Sequence, residues 1–338
     1  MRWSDVLLPL TPLYSAVVRA RAAAYSRGLL AAHRLEVPVV SVGNLTFGGT
    51  GKTPTVVALA RDLVERGRKP AVLTRGFGRA GDAPVVILAP NPGVSVERAG
   101  DEPLEIANRL PGVPVVVDAD RVRGGRCAVG LGADLVLLDD GFQHLRLARD
   151  LDLVLVDSGD PWGGGRLPPR GRLREPVTAL GRASAVMVTK LPTSHDEILA
   201  TITRRVAQVT GGATVLGSQM RPTRVRTDEG WLAVKALVGR RVLAFAGLGR
   251  PEGFGELLEE SRAQVVARRW FDDHHRYTGA EIGRLLEEAR DLGAVAVTTG
   301  KDAVKLPAGT PAWVVEVEVV PLDGQWDRLW RLLPGGRP

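Results

Sequence analysis

The sequence predicts an α/β protein: a P-loop-containing, doubly wound parallel sheet domain, followed by a second, smaller α/β domain joined to it by a β-hairpin linker. Three observations carry this. Short, almost wholly apolar runs alternate with helical stretches through the first two thirds of the chain, as strands buried on both faces and their crossover helices do. A glycine-rich loop ending in Gly51-Lys52-Thr53 follows the first of these runs. The texture changes at 213–236, where ATVLGSQMRPTRVRT and WLAVKAL flank Asp228-Glu229-Gly230, the pattern of a hairpin rather than of another crossover.

Taken in order, the first 35 residues mix apolar positions with arginines. Asp5, Pro9 and Pro12 are out of place in a signal peptide, and no run approaches the roughly 20 apolar residues of a bilayer-spanning helix. From Leu13 onward, Leu13, Val17, Ala20 and Ala24 recur at helical spacing while Arg19, Arg21 and Arg27 lie off that stripe. Two readings stay open: a basic amphipathic helix on an anionic membrane surface, and a helix packed on the protein's own core. The first domain, 1–212, then runs through VPVVSV, the helical TVVALARDLVERG, KPAVLTRG, VPVVVD, ADLVLLDD, LDLVLVD and ASAVMVTK. After the linker at 213–236, the second domain, 237–338, has the strands VLAFAGLG, VVARRWF, AVAVTTG and AWVVEVEVV. The helices PEGFGELLEESRA and GAEIGRLLEEARDLG alternate with them, and a tail bearing Trp326 and Trp330 is free to pack back on the first domain.

Composition narrows the function classes. Among 338 residues, 45 Lys+Arg outweigh 38 Asp+Glu by +7, which favours anionic partners. No basic run interleaves with aromatics and no helix-turn-helix pattern occurs, so no nucleic-acid partner is expected. The single cysteine, Cys127, leaves no internal disulfide framework and suits a reducing compartment.

The stretch GNLTFGGTGKTP places Thr46, Phe47, Gly48, Gly49, Thr50, Gly51, Lys52 and Thr53 between a strand and a helix. Such a loop aims backbone N–H groups and a positive helix end at an anion. Lys52 would reach the β/γ-phosphates and the Thr53 hydroxyl would ligate Mg²⁺, as in G-x-x-x-x-G-K-[ST], although Thr46 stands where that pattern has its first glycine. Asp139 and Asp140 close the apolar run LVLLDD and are expected to supply the carboxylate that holds the metal. Asp101 and Glu102, in AGDEPLEIA, are candidates to accept a hydroxyl proton, with N-capping by Asp101 as the competing reading. The five histidines are His33, His144, His195, His274 and His275. The pair in WFDDHHRYT points to a catalytic or substrate-facing loop, and His144, in DDGFQH, to the hydrogen-bond shell of the metal acids.

These residues resemble a known family. GNLTFGGTGKTP, LTRGFGR, AGDEP, LDDGFQH, LREP, VMVTK, AFAGLGRPEGF, FDDHHRY and TTGKDAVKL occur in the order seen in the tetraacyldisaccharide 4'-kinases of Gram-negative lipid A synthesis. The resemblance implies transfer of the ATP γ-phosphate to the 4'-hydroxyl of an acylated disaccharide 1-phosphate lipid at the cytoplasmic face of the inner membrane; a monomer is expected, although the sequence does not give the oligomeric state. It implies Asp101 as base with His274 from the second domain, so that the two domains close for catalysis, and the N-terminal segment as a membrane-associating helix. Arg75, Glu102, Arg121, Gln143, His144, Glu175 and His275 are the residues it implies as substrate-facing or supporting. Gly300, Arg250, Arg170 and Arg172 depart from the family pattern. The competing class is a P-loop GTPase or ATPase working as a metallochaperone or assembly switch. The single cysteine argues against it, as does Pro192, two residues after Lys190, where a guanine-reading strand end carries Asp.

Overall fold

The computed structural model describes residues 10–89, 93–307, 309–322 and 324–334, with side chains from Tyr14 onward. Helix α1 (Leu10–Ser26) precedes β1 (Val39–Asn44), the P-loop and α2 (Lys52–Glu65). Next come β2 (Pro70–Thr74), β3 (Val85–Ile87), the short α3 (Val96–Ala99), α4 (Asp101–Arg109), β4 (Val115–Val117), α5 (Arg121–Gly130) and β5 (Leu135–Asp139). They are followed by β6 (Leu151–Asp157), β7 (Ala185–Thr189), α6 (Asp196–Thr210) and the long β8 (Thr214–Thr227), which turns into β9 (Gly230–Ala233). The remaining elements are β10 (Arg241–Ala246), α7 (Glu252–Glu260), β11 (Gln264–Trp270), α8 (Gly279–Asp291), β12 (Val295–Thr299), α9 (Gly300–Ala303), β13 (Trp313–Pro321) and α10 (Gln325–Trp330).

The strands form one mixed, mostly parallel sheet in the order β11-β10-β12-β13-β8-β7-β6-β1-β5-β2-β4-β3, with β9 paired to β8 alone. Strand β8 joins its two halves. Thr214–Gly217 pair in parallel with β7, and Ser218 to Arg226 pair antiparallel with β13. Antiparallel pairing also occurs between β3 and β4 and between β8 and β9, so the expected parallel sheet holds for the central strands but not for these three ladders. Strand β3, a three-residue edge strand after Pro84, was not expected; too short to alternate, it had only the apolar run VVIL as a signal.

Successive residues of a strand point to opposite faces, and the near-continuous apolar strands cover both. Val40 and Val42 pack with Val56, Leu59 and Leu63 of α2, whereas Val39 joins Ala71, Leu73 and Val122 across the sheet. Each fully buried Val or Leu of this kind contributes about 1.5–3 kcal/mol. An ion cluster ties the halves together: buried Glu316 of β13 accepts from Arg61 of α2 (2.9 Å), from Arg109 of α4 (3.1 Å) and from Arg224 of β8. Buried Trp330 of α10 donates its indole N–H to Asp62 of α2 at 2.6 Å, so the C-terminal helix lies on the P-loop helix.

No described side chain of α1 is buried, and Val17 is 56% exposed. The stripe through Val17 and Ala20 faces outward, against the core-packing reading for the described part of this segment. Residues 1–9 lie outside the described residues. Helix α1 is held by polar contacts, Tyr14 Oη to the Arg174 carbonyl (2.9 Å) and Arg21 to the Gln143 carbonyl (3.1 Å). Among the described residues no helix is long and apolar enough to cross a membrane.

Candidate active site

Strand β1 delivers the chain into the P-loop, and the loop is fastened from several sides. Asn44 Nδ2 donates to Thr50 Oγ1 (2.9 Å), Thr189 Oγ1 donates to the Thr50 carbonyl (2.9 Å), and Lys190 Nζ donates to the Gly49 carbonyl (2.6 Å) while pairing with Asp157 (2.8 Å). Thr46 bridges to Leu173, and the Phe47 N–H donates to the Arg172 carbonyl (2.7 Å). Gly51 sits at φ 85°, a left-handed conformation that lets the chain turn into α2, and no side chain caps the helix. The first N–H groups of α2 therefore point at an open anion site.

The two acids that end β5 are unlike each other. Asp139 is buried; Thr74 Oγ1 donates to its Oδ2 (3.0 Å), and its Oδ1 has no partner. Burial, reinforced by Glu102 and Asp140, pushes its carboxyl up to about 7. Asp140 has both oxygens on the Arg174 guanidinium (2.7 and 2.8 Å) and Lys52 Nζ at 3.5 Å. Burial opposes its charge, but those two cations outweigh it and hold the carboxyl below its ordinary value. The orphaned Asp139 Oδ1 and the Thr53 hydroxyl at the start of α2 are the oxygens suited to Mg²⁺. No group of three His, Cys, Asp or Glu among the described residues is arranged to hold a metal, which suits an ion that keeps waters and phosphates as most of its ligands.

Beyond the acids, Gly100 at φ 93° separates α3 from α4 and sets buried Asp101 at the first position of α4. Asp101 is not the helix cap: the N-cap position is Gly100 and no side chain caps α4. Asp101 Oδ1 accepts the neighbouring Glu102 N–H (3.0 Å), and its Oδ2 lies 2.9 Å from His274 Nδ1, 173 residues away. His274 comes from the loop after β11, its ring 5.8 Å from that of Phe77. Lys301 of α9 reaches the same place, with Nζ 2.8 Å from Asp273, 3.4 Å from His274 Nε2 and 3.7 Å from Glu102. Glu102 thus acts on Asp139 to one side and Lys301 to the other, giving an unbroken run of charges from the P-loop to His274. Four non-glycine residues among those described have positive φ, and three of them, Asp140, Lys190 and His274, lie here. Such backbone costs about 1–3 kcal/mol each and gathers at functional sites.

The other residues singled out from sequence divide. Arg121 is buried and near both acids, and burial, reinforced by Arg75, lowers its guanidinium to about 10 although Asp139 opposes that. Gln143 donates to the Asn44 carbonyl (3.0 Å) and takes Arg174 on its Oε1 (3.4 Å). His144 is not in the hydrogen-bond shell of the acids: its buried Nε2 has no partner, and burial and the Arg121 charge push the imidazole down to about 4. Glu175 is turned to Arg182 (3.0 and 2.9 Å). His275 stacks on Phe271, its Nε2 3.4 Å from Glu281, leaving His274 alone on Asp101. Thr189, Lys190, Arg174 and Lys301 were missed as site residues, although the motifs VMVTK, LREP and TTGKDAVKL contain them. Arg172 pairs with Asp160, and Arg250 lies 3.4 Å from the same carboxylate. Gly300 faces Glu105, and nothing in the structure explains Arg170.

A family model described as "LpxK: Tetraacyldisaccharide-1-P 4'-kinase" matches residues 3–333. This chain belongs to that family. Curated relatives named tetraacyldisaccharide 4'-kinase include one from Anaeromyxobacter sp. (strain K), 45% identical over 320 residues, spanning 92% of this chain and 84% of the relative. Another, from Geobacter sulfurreducens, is 41% identical over 323 residues, spanning 92% and 88%. Among solved structures, LpxK from Aquifex aeolicus in complex with ATP superposes with a TM-score of 0.79 at 31% identity, covering 98% of this chain and all of that one. The open anion site, the paired acids and the Asp101–His274 contact thus sit in a kinase of the LpxK family.

Proposed function

We propose that this chain binds ATP and Mg²⁺ and transfers the γ-phosphate to the 4'-hydroxyl of a tetraacylated glucosamine disaccharide 1-phosphate. The observation that carries the reading is the run of charges joining the uncapped start of α2 to the Asp101–His274 pair. The P-loop N–H groups and Lys52 bind the β/γ-phosphates, and Arg121 and Arg174 add positive charge behind the acids. Asp139 and Thr53 would hold Mg²⁺, which when bound would neutralise charge on the transferring phosphoryl group. Asp101 accepts the proton of the acceptor hydroxyl as its oxygen bonds to the γ-phosphorus. The bond from phosphorus to the β–γ bridging oxygen breaks, and its electron pair leaves with ADP.

On this reading the two domains, 1–212 and 237–338, meet across the 213–236 hairpin, with the C-terminal helix α10 already packed on the P-loop helix, and the seating of His274 on Asp101 excludes water from the acceptor site. The exposed stripe and arginines of α1, lying beside Arg174 and Gln143, suit an anionic inner-membrane surface on its cytoplasmic face, from which the lipid enters. The switch or metallochaperone reading gains nothing from Lys190, which is spent on the P-loop carbonyl. The test is incubation of the purified chain in detergent with γ-labelled ATP and the acylated disaccharide 1-phosphate. Label is expected on the 4'-oxygen of the lipid. ATP turnover indifferent to the lipid would reject the reading.

A further inference from the structure

We propose that Lys301 is a positioning residue for the Asp101–His274 pair: its ammonium faces His274 Nε2 and thereby holds the imidazole neutral, with its one proton on Nδ1 toward Asp101. The inference rests on Asp101 being the base, and deepens that reading by fixing the protonation of its partner.

Hydrogen-bonding capacity decides the geometry. Asp101 as a carboxylate only accepts, so His274 Nδ1, 2.9 Å from Oδ2, carries a hydrogen. At the other end of the ring Lys301 Nζ, 3.4 Å from Nε2, only donates. Nε2 must therefore offer its lone pair, since an N–H there would confront the ammonium. One group pulls the other way, Asp273 Oδ2, 3.8 Å from Nε2, which favours an imidazolium. Lys301 answers it directly by pairing with Asp273 Oδ1 at 2.8 Å. The lysine is kept charged: burial works against it, but Glu102, Asp273 and Asp101 outweigh burial and raise its pKa. The charged groups facing the ring are thus Asp101 from α4, Asp273 from its own loop and Lys301 from α9. Glu102 acts through Lys301, and Phe77 covers the ring.

The consequence is chemical. An imidazolium beside Asp101 would stabilise the carboxylate and weaken it as a proton acceptor, whereas a neutral imidazole orients the same oxygen without that loss. The Lys301 ammonium, paired with Asp273 and Glu102 rather than with Asp101, takes the place of a cation in direct contact with the base.

The test uses the full chain with ¹⁵N-labelled histidine, the His274 signals being assigned by difference from His274→Gln. At about pH 7.5 the wild type is expected to show a protonated, pyrrole-like Nδ1 and an unprotonated, pyridine-like Nε2. In Lys301→Met, at that same pH, the Nε2 signal should move toward the protonated, pyrrole-like form. The acid limb of kcat should move to higher pH, with KM for ATP unchanged and Lys301→Arg restoring both. A wild-type His274 protonated on Nε2, or identical ¹⁵N signals in wild type and Lys301→Met, would overturn the proposal. So would a loss of kcat uniform across pH, which marks a merely structural lysine. Should Lys301→Met not fold, the wild-type tautomer decides alone. Failure of lipid phosphorylation with the expected histidine tautomer would leave the Lys301 assignment standing and reject only the reaction assigned to the site.

Discussion

The P-loop and the Asp101–His274 pair are fastened in opposite ways. The P-loop is pinned to its own strand and its neighbours by Asn44, Thr189 and Lys190, all within the central sheet. The base pair is a 2.9 Å contact between α4 and a loop on the far side of β8, steadied by Lys301, which reaches both His274 and Glu102. The difference teaches that the phosphate site is preassembled, while the proton-accepting site exists only when the two halves of the sheet stand in one particular relation. Nucleotide thus has a cradle built within one half of the sheet, whereas the pair proposed to meet the hydroxyl acceptor draws its two members from opposite halves.

Substitutions can break this contrast. Among changes outside the base pair the largest effect is expected for Lys52→Met, which removes the P-loop cation; turnover should fall by about 10²–10³-fold, and ATP binding measured by calorimetry should weaken with it. Lys190→Met leaves every phosphate-facing group in place but unpins the Gly49 carbonyl. About tenfold weaker ATP binding is expected, equivalent to ~1.4 kcal/mol, with the lipid KM unmoved; a changed lipid KM with unaltered ATP affinity would blur the distinction. The smallest effect concerns Glu105, between Arg109 and Gly300, whose carboxyl burial raises from 4.5 to about 6 despite Arg109. The folded chain then holds a proton that the unfolded chain has released, so the stability contributed by this group is full below about pH 4.5 and lost as pH rises through about 6. Glu105→Gln should flatten that part of the thermal-stability profile without altering ATP affinity.

Much of this is legible in the sequence because each signal is local. The P-loop lies within twelve consecutive residues, and its flanking strand and helix announce themselves by apolar runs and a change of period. The strand ending in Asp139-Asp140 was equally plain, but the different fates of the two acids were not. Both close the same run, and only the third dimension puts Arg174 on one and leaves Oδ1 of the other bare. Lys301 was unreadable for a related reason: a lysine in TTGKDAVKL carries no mark of its partners, which come from α4 and the loop after β11. His144 misled because nearness in sequence to the acids is not nearness of its ring nitrogens. The long β8 was read as one arm of a hairpin, whereas it is also the strand on which both halves of the sheet are built.

The most direct test of the division of labour between cradle and base is Asp101→Asn, with ATP affinity and lipid-dependent turnover measured on the same preparation. Turnover should drop by about 10²–10⁴-fold while the Kd for ATP stays at its wild-type value. Near-normal turnover, or loss of ATP binding in step with activity, would contradict the assignment of Asp101 as the group that takes the hydroxyl proton.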